Sequence, residues 1–376
     1  MILPPFTLGL LGGGQLGRMT ALAARRMGCS VSVYEPEAGC PAGQVGGREF
    51  NGSYDDTDLL TAFAKTCDVV TLEFENIPVP ALHAVAAHAP VHPRPDVLGT
   101  CQNREREKTF LRNKGYPCAD FRVVNNGAEL AAAAHELGLP CVLKSAEFGY
   151  DGKGQVKITH EGDWDAVWSG FGHPRGVVEQ WITFELELSV VCARGLHGDL
   201  AAFPAAENIH THHILDFSIV PGRFSPAVAR EAEEIALSIA RDLDVVGLLG
   251  VEFFLASNGK LLVNELAPRS HNSGHYTLDA CVTNQFEQHV RAVAGLPLGS
   301  TELLSPVVMV NILGDAWNAG VPDWTEIFQH PKAKLHLYGK ATAKPGRKMG
   351  HFTVLGSDIG QVLEEARAIK NRLLRV

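Results

Sequence analysis

Residues 250–269 read GVEFFLASNGKLLVNELAPR, two apolar runs separated by Asn258-Gly259. That dipeptide between apolar stretches predicts a β-hairpin with a two-residue type I′ turn. Ser257 then pairs with Lys260, and counting outward along both strands brings Glu252 opposite Glu265 on one side of the sheet. Like charges facing each other across a ladder are destabilising unless something compensates them. A hard divalent cation does so, and Mg²⁺ characteristically takes one or two carboxylates together with substrate phosphates. The plainer alternative is a slipped register, or two solvated glutamates on an open face. Asn264 and Arg269 add a polar ligand and a cation beside the pair.

Upstream, Lys144 ends the apolar strand CVLK, an unfavourable place for an unpaired ammonium. EFGYDGKGQ follows at 147–155, with Gly149, Tyr150, Asp151, Gly152, Lys153, Gly154 and Gln155 in succession. Such a loop can bring backbone N–H groups and a lysine onto phosphate oxygens, although it is not a Walker A sequence. A simple hairpin tip fits the same residues. VVEQWITFELELS at 177–189 is extended in pattern. It could offer Glu179, Gln180, Trp181 and Ile182 to an adenine edge and Glu187 to a ribose, or be only an amphipathic strand.

At the N-terminus, GLLGGGQLGRM (9–19) carries Gly12, Gly14 and Gly17 in the G-x-G-x-x-G pattern. A strand over Thr7–Leu11 runs into a helix over Gln15–Met27, and Glu35 ends the next strand, Ser30–Tyr34. That arrangement matches a dinucleotide fingerprint and points to NAD. A helix N-terminus binding some other phosphate or anion is the second reading of these residues, and a tight turn with no ligand the third. Helical patterns at Leu59–Thr66 and Ala81–His88 around a strand at Val69–Leu72 complete an α/β unit with a parallel sheet. HPRPDVLGTCQNR (92–104) reads as a boundary. Beyond it come a charged helix (Arg104–Lys114), a strand (Phe121–Val124), a helix (Ala128–Leu137) and, later, a helix over Pro226–Leu243.

The chain has 376 residues, 45% hydrophobic and 20% charged, with net charge −9. Length argues for two or three domains, and the charge gives no reason to expect nucleic acid or membrane partners. Eight scattered cysteines without C-x-x-C read as reduced thiols of a cytoplasmic protein.

Strand lysine, glycine loop, EQWI segment and paired glutamates, in that order, resemble the ATP-grasp superfamily. GGGQLGRM, TLEFENIP, KSAEFGYDGKGQ, PAAENIH, ILDFSIVPGR, NELAPRSHNSGH and GKATAKPGRKMGH narrow the resemblance to the 5-(carboxyamino)imidazole ribonucleotide synthase family across nearly the whole chain. The resemblance implies a three-part α/β architecture. Its parts are a Rossmann-like parallel-sheet domain (1–98), an ATP-grasp part made of a mobile lid region (99–182) and a catalytic region (183–304), and a C-terminal α+β subdomain (305–376). It implies use of ATP and bicarbonate to carboxylate 5-aminoimidazole ribonucleotide, Mg²⁺ as cofactor, and a homodimer.

Residue by residue, it puts Arg104, Lys144, the 149–155 loop, Glu179 to Ile182, Glu187, His210, Asn264 and Glu265 around ATP, and Mg²⁺ on Glu252 and Glu265. The ribonucleotide falls to Gln15, Leu16, Glu73, Asn272, Lys340, Arg347 and Lys348, with Glu75 an alternative to Glu73. Lys153 and Arg269 would offset charge on the transferring phosphoryl group, and Asp151 would take the proton. QNR at 102–104 and THH at 211–213 depart from the family's more usual residues. A formate-dependent glycinamide ribonucleotide formyltransferase is the nearest rival, and an NAD-dependent oxidoreductase the rival from another class.

Overall fold

Thr7–Leu11 (β1), Ser30–Tyr34 (β2), Arg48–Phe50 (β3) and Val69–Leu72 (β4) form a parallel sheet in the order β3-β2-β1-β4, with β1 and β4 buried. The structure, a computed structural model, describes residues 1–147 and 154–374. Near-continuous apolar strands suit a sheet covered on both faces. The helix after β1 spans Gln15–Arg26, and the third expected helix lies at Val79–Ala86.

The glycine-rich turn after β1 is filled by the chain itself. Gly13 N–H donates to Glu35 Oε2 at 2.8 Å, and Gly14 and Gly17 N–H donate to the two oxygens of Glu73 at 2.7 and 3.0 Å. A Cβ on Gly12 or Gly14 would sit 2.5 Å from the Glu73 side chain. These glycines make room for a carboxylate, not for a pyrophosphate, so the NAD reading fails on geometry.

Phe121–Val124 (β5), Cys141–Ser145 (β6), Gln155–Ile158 (β7) and Gly176–Gln180 (β8) make a second, antiparallel sheet in the order β5-β8-β6-β7. Asn103 caps the preceding helix, Arg104–Asn113, by accepting from Arg106 N–H at 3.0 Å. Its i, i+4 spacing puts Arg104 and Lys108 on one face.

The third sheet runs Leu261–Ala267 (β14), Gly247–Ala256 (β13), Phe184–Arg194 (β9), Ala206–Thr211 (β11), Ile214–Val220 (β12), Val307–Leu313 (β15), Lys348–Leu355 (β17), Ala333–Leu337 (β16), with Leu200–Ala202 (β10) also on β9. The C-terminal strands therefore continue this sheet through β12–β15. Helix Pro226–Asp242 covers it over a core including Leu188, Val190, Leu249 and Val251. Among the described residues no helix is long and apolar enough to cross a membrane.

Several helices lie where none was expected, Pro95–Cys101, Gln285–Val293 and the C-terminal Ile359–Leu374 among them. Pro95–Cys101 falls within the stretch read as a boundary, with Pro95 at its first position. Gln285–Val293 buries Gln285, Gln288 and His289 on its inner face, which hides its apolar periodicity.

The β11–β12 turn is His212-His213, both with positive φ (52° and 64°). Two left-handed residues in a two-residue turn define a type I′ hairpin, and Asn-Gly suits it better than any pair with Cβ strain. Replacing His212→Asn together with His213→Gly is expected to stabilise the fold by about 1 kcal/mol. The check is the midpoint of chemical denaturation, and a drop would remove the strain argument.

Candidate active site

The hairpin that opened the sequence reading pairs Glu252 with Glu265, as expected, but by a different route. Ala256 N–H donates to Lys260 O at 2.9 Å and Gly259 N–H to Ala256 O at 2.8 Å, with Gly259 at φ 79°. The loop therefore has three residues and a glycine bulge, so the two-residue type I′ turn and the Ser257–Lys260 pair do not form. Phe253 faces Val263 and Leu255 faces Leu261, one residue out of the expected register. Asn264 is the extra residue of a second bulge, and it restores the register so that Glu252 meets Glu265 and Val251 meets Leu266.

That bulge brings Asn264 into the wall of the site. Its carbonyl accepts from Lys108 Nζ at 2.9 Å, while its Oδ1 is buried without a partner among the described residues. Glu252 lies 3.2 Å from His271 Nε2, and Glu265 lies 3.8 Å from Arg104. Enclosure would raise the Glu252 carboxyl, but His271 overrides it and takes it down to about 2. Enclosure raises Glu265, and Glu252 and Glu75 add to this against Arg104. The two carboxylates are thus driven apart in acidity, as close like charges are. With the orphaned Asn264 oxygen beside them, they form an all-oxygen donor set that fits a hard divalent cation.

Glu179 on β8 sits among three cations: Lys144 Nζ at 3.1 Å, Lys108 Nζ at 3.3 Å and Arg104 at 3.8 Å. Burial opposes its charge, yet Lys108, Lys144 and Arg104 hold it well below the usual carboxylate range. Burial in turn lowers Lys144. Lys108, fully buried, was not among the expected site residues, although its helical spacing from Arg104 was a usable signal. His271 and Glu107, which accepts from Leu266 N–H at 2.9 Å behind Glu265, were also missed.

One cavity of about 1110 Å³ collects most of the rest. Gln15, Leu16, Glu73, Arg104, Lys144, Gly154, Gln155, Glu179, Gln180, Trp181, Ile182, Glu187, His210, Glu252, Asn264, Glu265, Arg269, Asn272 and Lys348 all line it. His210 meets Glu187 at 2.6 Å. Both amide atoms of Asn272 are buried without partners among the described residues. Arg269 grips Glu75 through Nε and Nη2 and donates from Nη1 to Ser270 O, and Glu75 is taken down to about 2 despite burial. Lys340 and Arg347 do not reach the cavity wall. Their loop is tied by Lys340 Nζ to Lys348 O at 2.7 Å and Gly346 N–H to Asp315 at 2.8 Å. Gly149, Tyr150, Asp151, Gly152 and Lys153 lie outside the described residues.

Comparison with known proteins places these parts in a class. Residues 6–102 match the ribonucleotide synthetase preATP-grasp domain, 109–286 the ATP-grasp domain, and 307–365 the phosphoribosylaminoimidazole carboxylase C-terminal domain. Fold and site together are those of an ATP-grasp protein. An N5-carboxyaminoimidazole ribonucleotide synthase of Bacillus subtilis is 44% identical over 97% of this chain and 95% of its own length. The Staphylococcus aureus synthetase solved with ADP superposes with a TM-score of 0.91 at 37% identity, covering 98% of both chains. The Aspergillus clavatus enzyme solved with ADP and 5-aminoimidazole ribonucleotide gives 0.91 at 32%, covering 99% of both. The chain belongs to the N5-carboxyaminoimidazole ribonucleotide synthase family.

Proposed function

We propose the following division of labour for the reaction this family performs. The chain is an ADP-forming ATP-grasp ligase that carboxylates 5-aminoimidazole ribonucleotide to its N5-carboxy form in purine biosynthesis. The observation that carries the site assignment is the facing pair Glu252–Glu265 in the same cavity as the Glu179 cation cluster and the unpartnered Asn272. ATP lies between the two antiparallel sheets, its base against Trp181 and Ile182 past the end of β8, its ribose by Glu187 and His210, its phosphates toward Lys144 and Arg104. Mg²⁺, held by Glu252, Glu265 and Asn264, would supply charge compensation on the phosphates.

Bicarbonate oxygen attacks the γ-phosphorus, forming the new P–O bond as the bond to ADP breaks. The resulting carboxyphosphate breaks down to CO₂ and phosphate, and the exocyclic amine of the ribonucleotide attacks the CO₂. Lys153 and Arg269 stand as the charge-offsetting groups and Asp151 as the proton acceptor. The ribonucleotide occupies the end lined by Gln15, Leu16, Glu73, Asn272 and Lys348, with Lys340 and Arg347 closing on its phosphate. The division at 98, 182 and 304, a homodimer and a cytoplasmic location complete the proposal.

The direct test is ribonucleotide-dependent ADP formation with and without bicarbonate. Activity with formate and glycinamide ribonucleotide instead would overturn the substrate assignment. Lys340 offers a second check. Burial and Arg347 lower its ammonium to about 8, so it is charged below that pH and neutral above it. kcat/KM for the ribonucleotide is therefore expected to fall as pH rises through about 8, and Lys340→Arg to flatten that limb. An unchanged limb in the variant would remove Lys340 from the phosphate site.

A further inference from the structure

Three buried hydrogen bonds and two partly buried contacts link four strands of the large sheet and end on Glu252. Ser218 Oγ donates to Asn208 Oδ1 at 3.0 Å, and Asn208 Nδ2 donates to Ser189 Oγ at 2.8 Å. Ser189 Oγ donates to Ser273 Oγ at 2.7 Å, Ser273 Oγ lies 2.7 Å from His271 Nδ1, and His271 Nε2 lies 3.2 Å from Glu252 Oε1. Ser189, Asn208, Ser218 and Ser273 are each at most 6% exposed. Burying so many polar groups in strands that could carry valine is costly unless each is satisfied.

The direction of this chain is determined by counting protons. A hydroxyl has one proton to give, and only the amide of Asn208 has chemically distinct ends. With its oxygen toward Ser218 and its nitrogen toward Ser189, the amide donates to Ser189 and Ser189 donates to Ser273, whose own proton has His271 Nδ1 as its acceptor among the described contacts. Ser273 then gives its proton to His271 Nδ1, which leaves the ring proton on Nε2, pointing at the carboxylate. Run the other way, the same atoms would put the Nε2 lone pair against Glu252, a repulsive contact.

We propose that Ser218, Asn208, Ser189 and Ser273 are positioning residues: a one-way relay that fixes the His271 tautomer with its proton on Nε2 and so aims Glu252 at the cation. Ser189 lies directly across the ladder from Glu252, which places the relay's midpoint beside the group it serves. The inference rests on Glu252 being a metal ligand, as in the proposed function, but the tautomer itself does not.

The test has two arms. In the cation-free protein, ¹⁵N NMR of the His271 ring is expected to show the proton on Nε2 alone. A neutral ring that carries its proton on Nδ1 overturns the relay. Calorimetric titration of Mg²⁺ in the presence of ADP is then compared across variants. Ser189→Ala and Asn208→Asp are expected to weaken Mg²⁺ about tenfold, the usual scale for groups that orient ligands. Ser189→Thr, which keeps the hydroxyl, should restore most of it. Folded variants whose Mg²⁺ affinity stays within twofold of wild type overturn the positioning role. Wild-type protein that binds no Mg²⁺ at all, yet shows the Nε2 tautomer, would instead count against the metal reading in the proposed function.

Discussion

Glu265→Ala is expected to lower Mg·ATP-dependent turnover by about 10³-fold or more while leaving the protein folded. Losing one of two carboxylates removes several kcal/mol of charge stabilisation from phosphoryl transfer. The fold should not suffer. Enclosure, Glu252 and Glu75 all push the Glu265 carboxyl up, so its removal relieves repulsion in the cation-free protein. Its side chain is also 44% exposed, so no sealed cavity is left behind. Steady-state ADP formation and a thermal melt give the two readings. Near-normal turnover would remove Glu265 from the metal site.

Glu179→Ala should have the opposite profile, with stability suffering first. The substitution leaves Lys108, Lys144 and Arg104 facing one another in a buried pocket without their anion. Breaking a buried ion cluster from one side costs about 3–5 kcal/mol, far more than an exposed pair would. The Glu179 carboxyl is held below its ordinary range when folded. Its stabilisation is therefore present above the ordinary glutamate value of 4.5 and lost as pH falls through and below that range. The denaturation midpoint of the wild type should drop on acidification more steeply than that of Glu179→Ala. Adding Lys108→Met to Glu179→Ala should recover part of the loss, and failure to do so would mean that the cluster is not the source of the effect.

The N-terminal sheet could be read from the sequence because its strands are short apolar runs between strongly periodic helices. Thr7–Leu11, Ser30–Tyr34 and Val69–Leu72 stand where that pattern put them. The facing glutamates were also legible, but through two errors of one residue that cancel, a longer turn and the Asn264 bulge. Turn chemistry alone could not reveal the bulge, because Lys108 and Pro117 bind the strand there from distant sequence. The grip of Arg269 on Glu75 spans nearly two hundred residues and likewise leaves no local trace. Helix Gln285–Val293 was hidden because its buried face is held by polar contacts, such as His289 to Thr71 at 2.7 Å. Lys108 is different: it sits one helical turn from Arg104 and was available to a reading that asked which face the charges share.

Glu73 in the glycine turn behaves as a ligand on a tether. An anion from solution must displace a carboxylate whose effective concentration, fixed by the fold, is on the order of mM or higher. A weak or non-cognate phosphate therefore meets an intramolecular competitor, while a substrate that engages Glu73 elsewhere in the cavity would uncover two backbone donors at once, those of Gly14 and Gly17. The turn is in this sense self-inhibited, and its glycines record the shape of an occupant that the protein makes itself.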